Sequence, residues 1–223
     1  MIRHIDMKKI KNLVFDFDGT LVDTAPLIVA TMQAAIGELG LEPRTDSECQ
    51  STIGLRLEEI PSVLWPENSE AKEKYAATYR RIFEILKRPL SVECFPGVID
   101  TLRKLHAEGF RMAIASSRSH RSLQEYTDMF YLTGCFSMLV GGDDVVHGKP
   151  SPDPVIKILD TCGWNADETI TVGDAPVDIM MGRAAETLTC AVTYGNGKED
   201  ELKAAHPTFM IGSFAELQAI VKE

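Results

Sequence analysis

Asn12-Leu13-Val14-Phe15-Asp16-Phe17-Asp18-Gly19-Thr20-Leu21-Val22-Asp23-Thr24 is the stretch from which the rest of the chain is read. Leu13, Val14 and Phe15 form an unbroken apolar run, as a strand buried on both faces does, and the run stops at two acids and a glycine. A strand that empties into a loop in this way directs Asp16 and Asp18 toward one small volume at its carboxyl end. Carboxylates so placed can share a covalent reaction, Asp16 attacking phosphorus while Asp18 gives a proton to the leaving group and takes one from water. An isolated Asp-x-Asp is more often an acidic loop that caps a helix, so the chemical reading needs other segments to arrive at the same edge.

Outward from this stretch, residues 26–88 read as helical. Val29, Met32, Ile36 and Leu39 recur at helix spacing up to a stop at Gly40, and Tyr75, Tyr79, Ile82, Phe83 and Leu86 mark a further stripe of helix-packing residues. Strands and helices then alternate: a helix over 97–109, a strand over 110–115, a helix over 120–130, a strand over 137–140 and a helix opening at Ser151-Pro152. A strand over 169–172, a helix from Pro176, a strand over 189–193 and a last strand and helix through Phe209 and Ile220 complete the series. Such alternation predicts a parallel sheet covered on both faces, with ligands bound at the carboxyl ends of its strands. The predicted fold class is therefore α/β: a Rossmann-like parallel-sheet core over residues 1–21 and 94–223, with an all-helical cap over residues 22–93 inserted after the first strand. Gly19, Pro89, Pro96 and Gly97 punctuate the two crossings.

Composition narrows the function. With 223 residues, 44% of them apolar, the chain can bury a substantial core. A formal charge of -10 excludes a protein that holds nucleic acid mainly by neutralising phosphates. The five cysteines have no metal-ligand spacing and read as reduced thiols, which points to a cytoplasmic setting. Residues 1–12 carry charges throughout, so no secretory leader is expected, and no apolar run is long enough for a membrane span.

Three further strand ends fit the chemistry of the first. Met112-Ala113-Ile114-Ala115 runs into Ser116 and Ser117, whose hydroxyls and adjacent N–H groups can hold phosphoryl oxygens, although Ser117 or Ser119 can equally cap the following helix. Lys149, in the proline-stiffened Gly148-Lys149-Pro150-Ser151-Pro152, presents a fixed cation, whereas His147 beside it reads as incidental. Val172-Gly173-Asp174-Ala175-Pro176-Val177-Asp178 sets two acids around a turn into a helix, one able to bind metal and the other to orient ligands or to complement the helix dipole.

Asp16-Phe17-Asp18-Gly19-Thr20-Leu21-Val22-Asp23-Thr24, with these later segments, resembles the haloacid dehalogenase-like phosphatases of the helical-cap branch, and within them the phosphoglycolate phosphatase group. The resemblance implies that Asp16 forms an aspartyl-phosphate and that Asp18 is the acid/base. It also implies that Mg²⁺ sits between Asp16, the Asp18 carbonyl and Asp174. It places Ser116, and Ser117 after it, on the phosphoryl group, Lys149 on the charge of Asp16 and the phosphate, and Asp178 in support. Mg²⁺ suits a donor set of oxygens without a His/Cys cluster, and acids crowded around a phosphate need such a cation. On the cap, Arg56 is expected to point into the cleft toward the leaving group.

The expected function is Mg²⁺-dependent hydrolysis of a small phosphorylated metabolite, without nucleic acid or membrane as a partner. Alternatives within the family are a β-phosphoglucomutase-type phosphomutase and an inorganic pyrophosphatase. Gly173-Asp174 disfavours the mutase, whose group is associated with Glu-Asp at that place. A non-catalytic binding protein on the same fold is the reading from another class, and the retention of Asp16, Asp18, Lys149 and Asp174 together speaks against it.

Overall fold

Leu13, Val14 and Phe15 have no exposed surface in the computed structural model, which describes residues 10–88 and 92–222. They form β1 (Asn12–Phe15), the strand from which the architecture grows. Burial on both faces explains why the run is continuously apolar rather than alternating, and truncating Phe15 to alanine costs about 3–5 kcal/mol. The chain leaves β1 through a loop in which Gly19 adopts φ +90°, then enters the short β2 (Val22–Asp23).

Four helices follow: α1 (Ala25–Leu39), α2 (Asp46–Gln50), α3 (Ile60–Leu64) and α4 (Ser69–Leu86). Each boundary has a local cause. Pro26 opens α1 and Gly40 closes it in the left-handed conformation, Thr45 and Glu48 form a reciprocal capping box on α2, and the Asn68 side chain accepts from Ala71 N at 2.9 Å on α4. This segment has an apolar core of its own, in which Met32, Ala35, Cys49 and Tyr75 are fully buried beside Trp65. It returns through β3 (Glu93–Cys94), antiparallel to β2, so the strands that lead out to the helices and back lie side by side. Pro89, one of the expected punctuation points, and residues 1–9, where no leader is expected, lie outside the described residues.

The remaining elements alternate: α5 (Val98–Ala107), β4 (Arg111–Ala115), α6 (His120–Met129), β5 (Met138–Val140), α7 (Asp153–Cys162), β6 (Thr169–Gly173), α8 (Pro176–Ala184), β7 (Leu188–Val192), α9 (Glu199–Ala204), β8 (Phe209–Ile211) and α10 (Leu217–Ile220). Among the described residues six strands form one parallel sheet in the order β5-β4-β1-β6-β7-β8. The chain builds outward from β1 in one direction through β5 and in the other through β8. The carboxyl end of β1 is therefore the switch point where ligands gather in such sheets.

The α/β reading holds, with strand ends within a residue or two of expectation. One helix was not anticipated: α9 buries only Leu202, so no apolar stripe announces it, and it rests on acids in its first turn and Lys203 in its last. No described helix is long and apolar enough to cross a membrane. The five cysteines are all free of disulfides, Cys49 and Cys190 being buried.

Candidate active site

Three adjacent parallel strands end at one rim. β1 delivers Asp16 and Asp18, β4 delivers Ser116, and β6 delivers Asp174. Lys149, from the loop ahead of α7, reaches the same place: its Nζ contacts Asp16 Oδ1 and lies 2.6 Å from Asp178 Oδ1. The three side chains are at most 3% exposed. The contact with Asp178 is one of charge rather than of an aligned hydrogen bond, since Asp178 Oδ1 has no hydrogen-bond partner. Asp178 Oδ2 accepts from Ala175 N at 3.0 Å and so opens α8. Its two oxygens thus face different partners, one the Lys149 ammonium and the other the first turn of α8.

Asp174 is fixed by Thr20 Oγ1, which donates to its Oδ1 at 3.0 Å, and by Asn196 N, which donates to its Oδ2 at 2.7 Å. Gly19 closes over it: with φ at +90° and Asp174 against its Cα, no side chain fits there. Burial pushes the Asp174 carboxyl up to about 7, with Asp178 adding to the shift. Burial likewise raises Asp16 well above the ordinary range; Lys149 opposes that rise, while Asp178, Asp174 and Asp18 reinforce it. Burial works against the charge of Lys149, yet Asp16 and Asp178 outweigh it and raise its pKa.

This floor is short of positive charge. Three buried carboxylates, Asp16, Asp174 and Asp178, can each offer an oxygen within 4.8 Å of the others, and Lys149 is the cation in their midst. A hard divalent cation fits such a donor set, since the ligands are all oxygens and the carboxylates are buried together, burial first and then their mutual repulsion raising Asp16 and Asp174. The Asp18 carboxylate stands outside the group.

Asp18 turns instead toward Thr24 and Arg118. Thr24 Oγ1 donates to Oδ1 at 2.5 Å, while Arg118 grips both oxygens, Nη2 to Oδ1 at 2.5 Å and Nε to Oδ2 at 3.2 Å. The guanidinium lies 4.9 Å from the centre of the Tyr126 ring, with Phe17 and Phe83 at 5.6 and 5.4 Å. Burial disfavours its charge, but Asp18 outweighs that and raises its pKa. Sequence reasoning missed Arg118. The one available signal was its position directly after the serine pair at the end of β4.

The remaining expected residues divide. Ser116 is buried, and its Oγ accepts from Arg118 N at 3.3 Å. Ser117 Oγ donates to Gly54 O of the helical insert at 2.6 Å, which commits that hydroxyl to joining insert and core. Ser119 caps α6, accepting from Ser122 N, and His147 is exposed and paired with Asp153. Arg56 lies in the cleft between insert and core. Its Nη1 donates to Val146 O at 2.8 Å and its Nη2 to Gly142 O and Val145 O at 2.7 Å each, so the charged end clasps the core loop instead of facing a leaving group. Gly148 leaves room for this, because a Cβ there would lie 2.5 Å from Arg56 Nε.

Above the floor, between core and insert, is a cavity of about 610 Å³. Asp16, Asp18 and Ser116 line its core side, and the insert adds Tyr79 and Phe83, which face the cavity as well as packing on each other. Residues 13–192 match the family model described as haloacid dehalogenase-like hydrolase. The chain belongs to that family. It is an enzyme of the hydrolase class, and the family's members are the frame for its site. Among curated relatives it is 33% identical to the pyrophosphatase PpaX of Halalkalibacterium halodurans, over 96% of this chain and 97% of that one. It is 30% identical to the phosphoglycolate phosphatase of Aquifex aeolicus, over 92% and 93%. Among solved structures, a haloacid dehalogenase-like hydrolase from Bacteroides fragilis superposes with a TM-score of 0.88 at 27% identity, covering 93% of this chain and 99% of that one.

Proposed function

We propose that this hydrolase is a Mg²⁺-dependent phosphatase that removes the phosphoryl group of a small phosphomonoester through an aspartyl-phosphate on Asp16. The observation that carries the reading is the Asp16–Lys149–Asp178 contact, beside Asp174, in which Asp16 lines the cavity and the others lie beneath it. In the first step an Asp16 carboxylate oxygen attacks phosphorus, the ester P–O bond breaks, and protonated Asp18 gives its proton to the leaving oxygen. In the second, Asp18 takes a proton from water, whose oxygen attacks the same phosphorus and returns Asp16 and inorganic phosphate. Ser116 and neighbouring backbone N–H groups hold phosphoryl oxygens, and Lys149 steadies negative charge on Asp16 and the group in transfer. Asp16, the Asp18 carbonyl and Asp174 would hold Mg²⁺, with Asp178 in support; when bound, the ion neutralises charge on the phosphoryl.

Residues 22–93 act in this reading as a cap that excludes water and selects the substrate, seated on the core by Arg56 and by the Ser117–Gly54 bond. Gly173 favours hydrolysis over mutase chemistry: a Cβ there would run into Asp178, so a glutamate at that place is incompatible with Asp178 as it stands. The kinship with phosphoglycolate phosphatase and PpaX supports a small phosphorylated metabolite as substrate. Phosphate release from a panel of metabolites with Mg²⁺ tests the reading. Asp16→Asn is expected to lower kcat by at least about 10³-fold, and unchanged turnover refutes the mechanism.

A further inference from the structure

The leaving-group end of the cavity differs in character from its floor. With the phosphoryl at Asp16 and Ser116, the rest of the substrate extends past Asp18 toward the insert, where Ile28, Met32, Ile53, Leu57, Ile60 and Phe83 form the wall. The volume of about 610 Å³ equals that of about twenty waters at ~30 Å³ each, far more than phosphoglycolate or pyrophosphate fills.

Charge gives the same answer as size. Among the described residues lining the cavity, the cations are Arg56, Arg80 and Arg118. Arg56 directs both terminal nitrogens to core carbonyls, Arg80 is paired with Glu58, and Arg118 is clamped on Asp18. Lys149 is committed to Asp16 and Asp178 beneath the floor. The insert meanwhile contributes Glu58, Glu59 and Glu84, three acids against its two arginines. A carboxylate or second phosphate on the leaving group would lose its hydration against apolar side chains and acids without gaining a free cation, whereas an apolar body would release water from the same wall.

We infer that this site, on the phosphatase reading, takes a phosphomonoester of an uncharged alcohol with an apolar body, and discriminates against leaving groups that carry an anion. This separates its substrate class from those named for its phosphoglycolate and pyrophosphate relatives.

The test compares kcat/KM with Mg²⁺ for benzyl phosphate, its 4-carboxybenzyl counterpart, phosphoglycolate and pyrophosphate. Benzyl phosphate is expected to exceed each anionic leaving group at least tenfold. Equal or better turnover of any anionic substrate overturns the specificity while leaving a phosphatase, and phosphate release from none of the four overturns the phosphatase reading together with it. Leu57→Arg, which adds a cation to the partly buried wall, is expected to narrow the benzyl to 4-carboxybenzyl ratio at least fivefold. An unchanged ratio in the folded variant shows that wall charge does not set the preference and overturns the inference.

Discussion

Replacing Lys149 with methionine keeps most of its aliphatic stem and deletes its charge. The ammonium contacts Asp16 and lies 2.6 Å from Asp178, and the side chains are between 1% and 3% exposed, so water cannot substitute for it. Removing one partner of a buried ion pair costs about 3–5 kcal/mol, and the loss here falls on two carboxylates, which places it near the top of that range, about 4–5 kcal/mol. For a chain of this size that corresponds to a fall in Tm of about 10–20 °C. The sign of the pH dependence follows from Asp16. Without Lys149 its folded pKa, already raised by burial, rises further, so the deficit is smaller at pH 5 and grows toward pH 8. Urea titrations in EDTA at pH 5 and pH 8 measure both quantities, and added Mg²⁺ should recover part of the loss. A deficit under about 1 kcal/mol at pH 8, or one that shrinks as pH rises, refutes the account of the floor as charge-starved.

Asp174, raised to about 7, makes metal-free protein less stable relative to Asp174→Asn as pH climbs from about 4 through about 7; thermal melts of both proteins in EDTA check this, and a gap moving the other way contradicts it. Arg56→Ala removes three bonds to the core loop and should quicken amide exchange over residues 142–148 while leaving β1 unchanged. Gly148→Ala, by pushing on Arg56, should give the same exchange pattern, and combining it with Arg56→Ala should add little; additive effects would show that the two act separately. Arg118→Met leaves Asp18 with Thr24 but without its cation and should lower kcat at least about tenfold in phosphate release, with wild-type kcat as the contrary result.

The core was legible in the sequence because its central strand carries the unbroken apolar run Leu13-Val14-Phe15, buried on both faces, because strand-length and helix-length patterns alternate after it, and because glycines and prolines mark the loops between them. The same logic brought Asp16, Ser116, Lys149 and Asp174 to one rim, each being fixed by backbone at a strand end or in a stiffened loop. Arg118 and Arg56 escaped or misled because long side chains choose partners that spacing does not encode. Arg118 directly follows a serine pair and no spacing marks it, yet aromatic rings enclose it; Arg56 reads as a cleft residue and does line the cleft, while backbone carbonyls hold its guanidinium. Asn196 had no signal at all, since its service to Asp174 comes through its backbone N–H. Tyr79 and Phe83 read correctly as packing residues, but periodicity does not report that one edge of a packed ring faces a void.

The two-residue strands β2 and β3 form a ribbon where the chain crosses from core to insert and back. Asp18 bridges to Val22 in β2, and Thr24, which starts the first insert helix, donates to the Asp18 carboxylate. On the mechanism proposed above, the residue that moves the proton is therefore anchored at the root of the insert, so that the contacts of its carboxylate and the point where the insert leaves the core are set by the same few residues.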